Sequence, residues 1–143
     1  MAYFELRTPR DMLEKAEREL DRLQRDMTVD NIFNFFVTAY HIQDYVRGTN
    51  SVPIPALHAF LADPDLKDCR ALCHKGKHLH LSGHPEALTG RASGSFSDHS
   101  FSEVSFSAGT VRTLYYGGRA VDVHSLPKRV VAKWRQFLGE HAL

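Results

Sequence analysis

The stretch from Val29 to Gly48 constrains this chain more than any other. Ile32, Phe33, Phe35, Phe36, Val37, Ala39, Tyr40, Ile42, Tyr45 and Val46 place apolar side chains around most of the circumference of one helix. A helix that is apolar on nearly all sides must be covered by several neighbours. The fold is therefore expected to be built around it, with Gly48 supplying the left-handed conformation at its end.

The remaining sequence supplies those neighbours. Thr8-Pro9-Arg10-Asp11 combines a capping hydroxyl, a proline at the first helical position and a carboxylate in the first turn. Met12, Leu13, Ala16, Leu20 and Leu23 follow at helical spacing, which predicts a helix from about Pro9 to Arg25. Its other face, with Arg10, Glu14, Lys15, Glu17, Arg18 and Arg22, reads as a solvated surface of mixed sign. Thr49 to Pro55 is rich in turn residues and leads to a short helix from Ala56 to Leu61. Asp63-Pro64 then opens a helix carrying Leu66, Cys69, Arg70, Leu72, Cys73, His74 and His78. Ser125 is placed to cap a last helix whose Val130, Val131, Trp134, Phe137 and Leu138 form one apolar stripe.

Between these helices the pattern changes. Residues 81–100 turn to Gly, Ser, His, Pro and Thr without a period and read as a long mobile loop. From 101 to 124 the period becomes two: Val104 and Phe106, then Val111, Thr113 and Tyr115, then Val121 and Val123. Gly117-Gly118 fits a two-residue hairpin turn. The expected fold is a mainly α single domain over 1–143, a bundle of four to five helices with a small antiparallel β-meander inserted before the C-terminal helix.

Charge and cysteine usage narrow the function classes. Eighteen Lys and Arg against 17 Asp and Glu leave no bulk charge that would attract a duplex or an anionic membrane. Any nucleic-acid contact must then be local. No apolar run reaches the roughly 20 residues of a membrane span, and Met1 to Arg7 lacks a signal-peptide layout, so a cytoplasmic protein away from membranes is expected. In a reducing compartment Cys69 and Cys73 are small buried hydrophobes rather than a disulfide. No Gly-rich phosphate loop is present, and the reading calls for no cofactor.

Histidine is the unusual residue. Of nine, four crowd into His74-x3-His78-x-His80-x3-His84, and Arg70 precedes His74 by one helical turn. Arg70, His74 and His78 thus share one face. Arginine grips phosphate with a fixed fork and histidine moves protons near neutral pH, a combination suited to cleaving a phosphodiester. Lys67, Lys75, Lys77 and Arg91 lie beside the run and could draw a phosphate backbone to it. A polar seam of Asn34, Thr38, His41 and Tyr45, with Asp44 beside it, could face this helix and hold or orient a substrate. The plainer readings are core or solvent hydrogen bonds for the seam, and a salt bridge from Arg70 to Asp65, Asp68 or Glu86. Zinc is a further alternative, with His74 and His78 joined by His80, His84, Cys69 or Cys73.

An aromatic-rich central helix followed by one ending in Arg70-Ala71-Leu72-Cys73-His74-Lys75-Gly76-Lys77-His78 resembles the HEPN superfamily of bacterial nucleic-acid-associated domains. That family's motif is an Arg, four to six residues and then a His; this sequence departs from it, with three residues between Arg70 and His74 and seven between Arg70 and His78. The resemblance spans about Pro9 to His80 and the final helix, with the strands as an insertion. It implies a homodimeric helical bundle of toxin–antitoxin or phage-defence type. In such a bundle an accessory member binds RNA or a protein partner. A catalytic member is a metal-independent ribonuclease, in which Arg70 would orient the scissile phosphate and His78 or His74 would transfer the proton.

Overall fold

The computed structural model describes residues 5–77, 89–93, 95–96, 113–116 and 119–143, with side chains over 5–74 and 120–143. Five helices carry the architecture: α1 (Pro9–Arg25), α2 (Val29–Thr49), α3 (Ile54–Leu61), α4 (Pro64–Lys77) and α5 (Leu126–Glu140). Helix α1 begins as expected. The Thr8 hydroxyl accepts from the Asp11 N–H at 3.0 Å, and the Asp11 carboxylate accepts from the N–H groups of Thr8 and Arg7 at 3.0 and 2.9 Å. Those two backbone donors hold the Asp11 carboxyl below its ordinary pKa.

Helix α2 is the centre of the bundle. Phe35, Phe36, Ala39, Ile42 and Val46 are at most 1% exposed, covered mainly by α1 and α4. Burial is not complete around the helix, because Phe33 is 38% exposed and Asp30, Asn34 and Asp44 also face outward. Helix α2 also runs past Gly48. It ends at Asn50, which takes the left-handed conformation with φ of 55°. Asparagine tolerates that region because its short polar side chain bonds locally.

Helix α5 docks its apolar stripe as the spacing requires. Trp134 is 2% exposed, and Phe60 of α3 stacks on Phe137 at 4.2 Å and meets Trp134 edge-on at 4.7 Å. Ser125 precedes α5 without capping it through its side chain, and its backbone is already helical. Asp63, by contrast, accepts from the Asp65 N–H at 2.8 Å at the start of α4. Ion pairs join the outer faces: Asp63 and Asp65 of the α4 start meet Lys133 and Arg129 of α5, and Glu17 of α1 meets Arg135.

A small antiparallel sheet precedes α5. Its strands are β1 (Thr89–Ser93), β2 (Ser95–Phe96), β3 (Thr113–Tyr116) and β4 (Arg119–Asp122), in the order β2-β1-β3-β4. Tyr116 pairs with Arg119, and Gly117-Gly118, the expected hairpin turn, lies outside the described residues. Strands β1 and β2 lie inside the stretch whose composition reads as loop, and Val104, Phe106 and Val111 lie outside the described residues. Val121, Val123 and Leu126 tie the end of the sheet to the bundle core. No helix among the described residues is long and apolar enough to cross a membrane.

Candidate functional site

The seat of α4 on α2 decides which polar residues meet. Cys69 is buried at this contact, and its thiol donates to the Phe36 carbonyl at 3.9 Å. Burial pushes the Cys69 thiol well above its ordinary pKa, so it stays protonated, unsuited to act as a thiolate ligand or nucleophile. One turn further along each helix, the His74 ring meets the Tyr40 ring edge-on with centroids 4.9 Å apart. The face of α2 turned toward α4 therefore runs through Phe36, Tyr40, Gln43 and Arg47.

That geometry corrects the expected seam. At ~100° per residue, Phe36, Tyr40, Gln43 and Arg47 share an arc of about 60°, and Asn34, Thr38, His41 and Tyr45 share another on the opposite side of the helix. Asn34 is exposed. Thr38 is buried toward α1 and accepts from the Lys15 ammonium at 3.0 Å, and Lys15 also pairs with the buried Glu19 at 3.1 Å. The His41 Nδ1 lies 2.7 Å from the Val37 carbonyl, one turn back in its own helix. Neither Asn34 nor His41 is brought opposite Arg70. Asp44 is exposed at the edge of the α4-facing arc, 3.6 Å from Arg47.

On the α4-facing side, the ends of α2 and α3 and the middle of α4 enclose an open cavity of about 350 Å³. Tyr40, Gln43 and Arg47 form its α2 wall, Lys67 and Arg70 its α4 wall, and His58 of α3 closes the third side. Gln43 is 5% exposed and holds this wall in place. Its amide donates to the Tyr40 carbonyl at 3.2 Å, and its oxygen accepts from Arg47 at 2.7 Å. Arg47 is thus aimed and partly neutralised by Asp44.

Lys67 and Arg70 differ from it. Among the described residues, neither side chain makes a hydrogen bond or an ion pair. The expected alternative partner Asp65 is engaged elsewhere, accepting from Arg129 at 3.0 and 3.2 Å and from Lys133 at 2.7 Å. Glu86 lies outside the described residues, and Asp68 is buried at 3% exposure whereas Arg70 is exposed. Lys67, Arg70 and His74 share an arc of about 60° on α4. Tyr40 links them, because it lines the cavity and also touches His74. Two cations with no partner among the described residues, set with aromatic rings around one concavity, are chemically suited to an anion such as phosphate.

Of the expected site residues, the structure brings Arg70 and His74 to this place, with Asp44 at its edge. The side chains of Lys75 and Lys77, and all of His78, His80 and His84, lie outside the described residues. Among the described residues no group of three or more His, Cys, Asp or Glu is arranged to hold a metal ion. The sequence reading missed Gln43, Arg47 and His58 and took Tyr40 as core. The available signal was the run Phe36, Tyr40, Gln43, Arg47, whose spacing of four, three and four defines one helical face. No protein-family model, characterised protein or solved structure matches this chain.

Proposed function

We propose that the chain is a nucleic-acid-binding module that holds a phosphate of single-stranded RNA in the cavity between α2, α3 and α4. The observation that carries this reading is the pair of cations Lys67 and Arg70, without partners among the described residues, on the wall of an open concavity. What sets these two cations apart is that both line one concavity and that, among the described residues, neither has a protein partner there. Arginine meets a phosphate with two parallel hydrogen bonds, lysine adds a point charge, and the rings of Tyr40 and His58 offer surfaces to a neighbouring base or sugar. A local site of this kind needs no net positive charge on the whole chain.

Binding of a 3′-labelled single-stranded oligoribonucleotide, followed by fluorescence anisotropy across a salt series, tests this reading. The affinity is expected to fall as salt rises, with a slope of about 0.7 per phosphate neutralised. Arg70→Ala and Lys67→Ala should each weaken binding and flatten that slope at unchanged thermal stability. Wild-type protein that ignores RNA, or variants that bind like wild type, would overturn it.

A second reading shares the site and is favoured by one contact. Arg70 and His74 lie one turn apart with the Tyr40 ring against His74, so a phosphate held by Arg70 would lie on the imidazole's side of α4. In this reading His74 takes the ribose 2′-hydroxyl proton, the 2′-oxygen attacks phosphorus, and the P–O5′ bond breaks, leaving a 2′,3′-cyclic phosphate and a 5′-hydroxyl that takes its proton from water. It is the metal-independent ribonuclease that the HEPN resemblance implies. Cleavage in EDTA that is lost in both His74→Ala and Arg70→Ala supports it, and binding without cleavage leaves the module as an accessory one.

A further inference from the structure

The charge in the cavity matches one kind of phosphate better than another. An internal phosphodiester carries a single negative charge, whereas a terminal phosphate monoester carries about −1.5 to −2 at pH 7 and offers three acceptor oxygens. Lys67 and Arg70 supply two positive charges that no acid among the described residues pairs with. Arg47 adds part of a third, since Asp44 at 3.6 Å neutralises some of it and Gln43 at 2.7 Å fixes its direction. A single diester would leave one of these cations uncompensated. A monoester dianion balances both. The site is an open concavity lined by residues of α2, α3 and α4. Its volume of about 350 Å³ lies at the small end of the range for small-molecule sites, roughly 300–1,000 Å³, and suits a phosphate with the sugar or base attached to it.

We infer that the cavity recognises a phosphate monoester at the end of an RNA strand, with Arg70 and Lys67 on its terminal oxygens and Arg47 oriented by Gln43 as the third donor. This inference rests on the nucleic-acid reading above and sharpens it from any phosphate of the strand to the terminal one. The same chemistry is present on a 5′-phosphate, on a 3′-phosphate and on a free mononucleotide, so the test separates these sources.

Isothermal titration of the full chain with short unlabelled oligouridylates of one sequence, ending in 5′-phosphate, 3′-phosphate or hydroxyls only, gives the comparison, with uridine monophosphate as a fourth ligand. A strand with one phosphorylated end is expected to bind about tenfold tighter than the hydroxyl-ended strand, the scale set by one additional charge-assisted contact. Arg70→Ala and Lys67→Ala should each shrink that preference to about twofold or less, while Arg135→Ala, whose partner is Glu17 on the α1 side, keeps it. Equal binding of all strands, weakened alike by Arg70→Ala, would overturn the inference and leave the RNA-binding reading standing. Absence of binding by every ligand would overturn both. Tight binding of the mononucleotide without any gain from the strand supports monoester recognition and overturns the RNA reading, making a free nucleotide the ligand.

Discussion

The two sides of α4 handle charge in opposite ways. Toward α5, Asp63 and Asp65 face Lys133 and Arg129 at 2.7 to 3.2 Å, two acids against two bases. Burial works to raise the Asp65 carboxyl, yet the hydrogen bonds and charges of Arg129 and Lys133 hold it below its ordinary pKa. Arg129 is raised chiefly by its hydrogen bond to Asp65, and Lys133 is raised by both acids against its own desolvation. Toward α2 and α3, Lys67 and Arg70 have no such partner among the described residues. The first side is a clamp whose charges serve folding. The second leaves two cations exposed without a partner among the described residues, and this contrast is what supports the proposal of a ligand there.

The largest expected effect lies behind the clamp. Trp134→Ala removes the ring that packs on Phe60 and Phe137 and should cost about 3–5 kcal/mol of stability, read from urea denaturation. The double variant Lys67→Ala with Arg70→Ala should stay within about 0.5 kcal/mol of wild type, because exposed side chains without partners contribute little to folding. The same double variant should lose about tenfold or more in RNA affinity and about 0.7 from the salt slope, the share of the one phosphate the two cations hold. A destabilisation well above 1 kcal/mol in that variant would break the contrast, by showing that the cavity cations do serve the fold.

Asp65→Asn probes the clamp itself. Its side chain is 15% exposed and meets two cations, so a loss of about 1 kcal/mol at neutral pH is expected, at the upper end for ion pairs near the surface. The sign with pH follows from the lowered pKa. A carboxyl bound more tightly to its charged form when folded stabilises the protein above its unfolded pKa, and that stability disappears as pH falls through the lower folded value. The gap between wild type and Asp65→Asn should therefore be widest near neutrality and close on acidification, and 1 M salt should narrow it at pH 7. A gap that is constant down to acid pH would mean that Asp65 acts through its shape or its neutral hydrogen bonds.

How far the sequence revealed all this depends on whether a signal is local. The central helix was legible because ten apolar residues within one stretch admit no other arrangement, and α1 because Thr8 and Asp11 carry its start within one turn. The end of α2 was not, since Gly48 and Asn50 both tolerate the left-handed conformation and only the closing Asn50 N–H to Arg47 carbonyl bond chooses between them. Strand β1 was hidden because Thr89-Gly90-Arg91-Ala92-Ser93 has no large apolar residue to alternate. Arg70 and His74 stood out by their own spacing. The cavity did not, because its walls come from three helices and its α2 wall contains the tyrosine that local pattern assigns to the core. Which face of α2 meets α4 is set by tertiary packing at Cys69 and Phe36, and that contact spans 33 residues of sequence.

The smallest expected effect is also the sharpest test of the charge balance in the cavity. Asp44 is exposed and lies 3.6 Å from Arg47, so the pair adds under about 0.5 kcal/mol to stability and Asp44→Ala should fold like wild type. Its removal nevertheless leaves Arg47 uncompensated on the cavity wall, still aimed by Gln43. Anion affinity should then rise about two- to threefold at low salt and return to the wild-type value near 1 M salt, where screening acts within about 3 Å. Arg47→Ala should reverse the sign, weakening binding less than Arg70→Ala does, because only part of its charge is available in the wild type. Affinity that is unmoved by Asp44→Ala at low salt would confine recognition to Lys67 and Arg70, and the cavity would then hold its ligand with two cations rather than three.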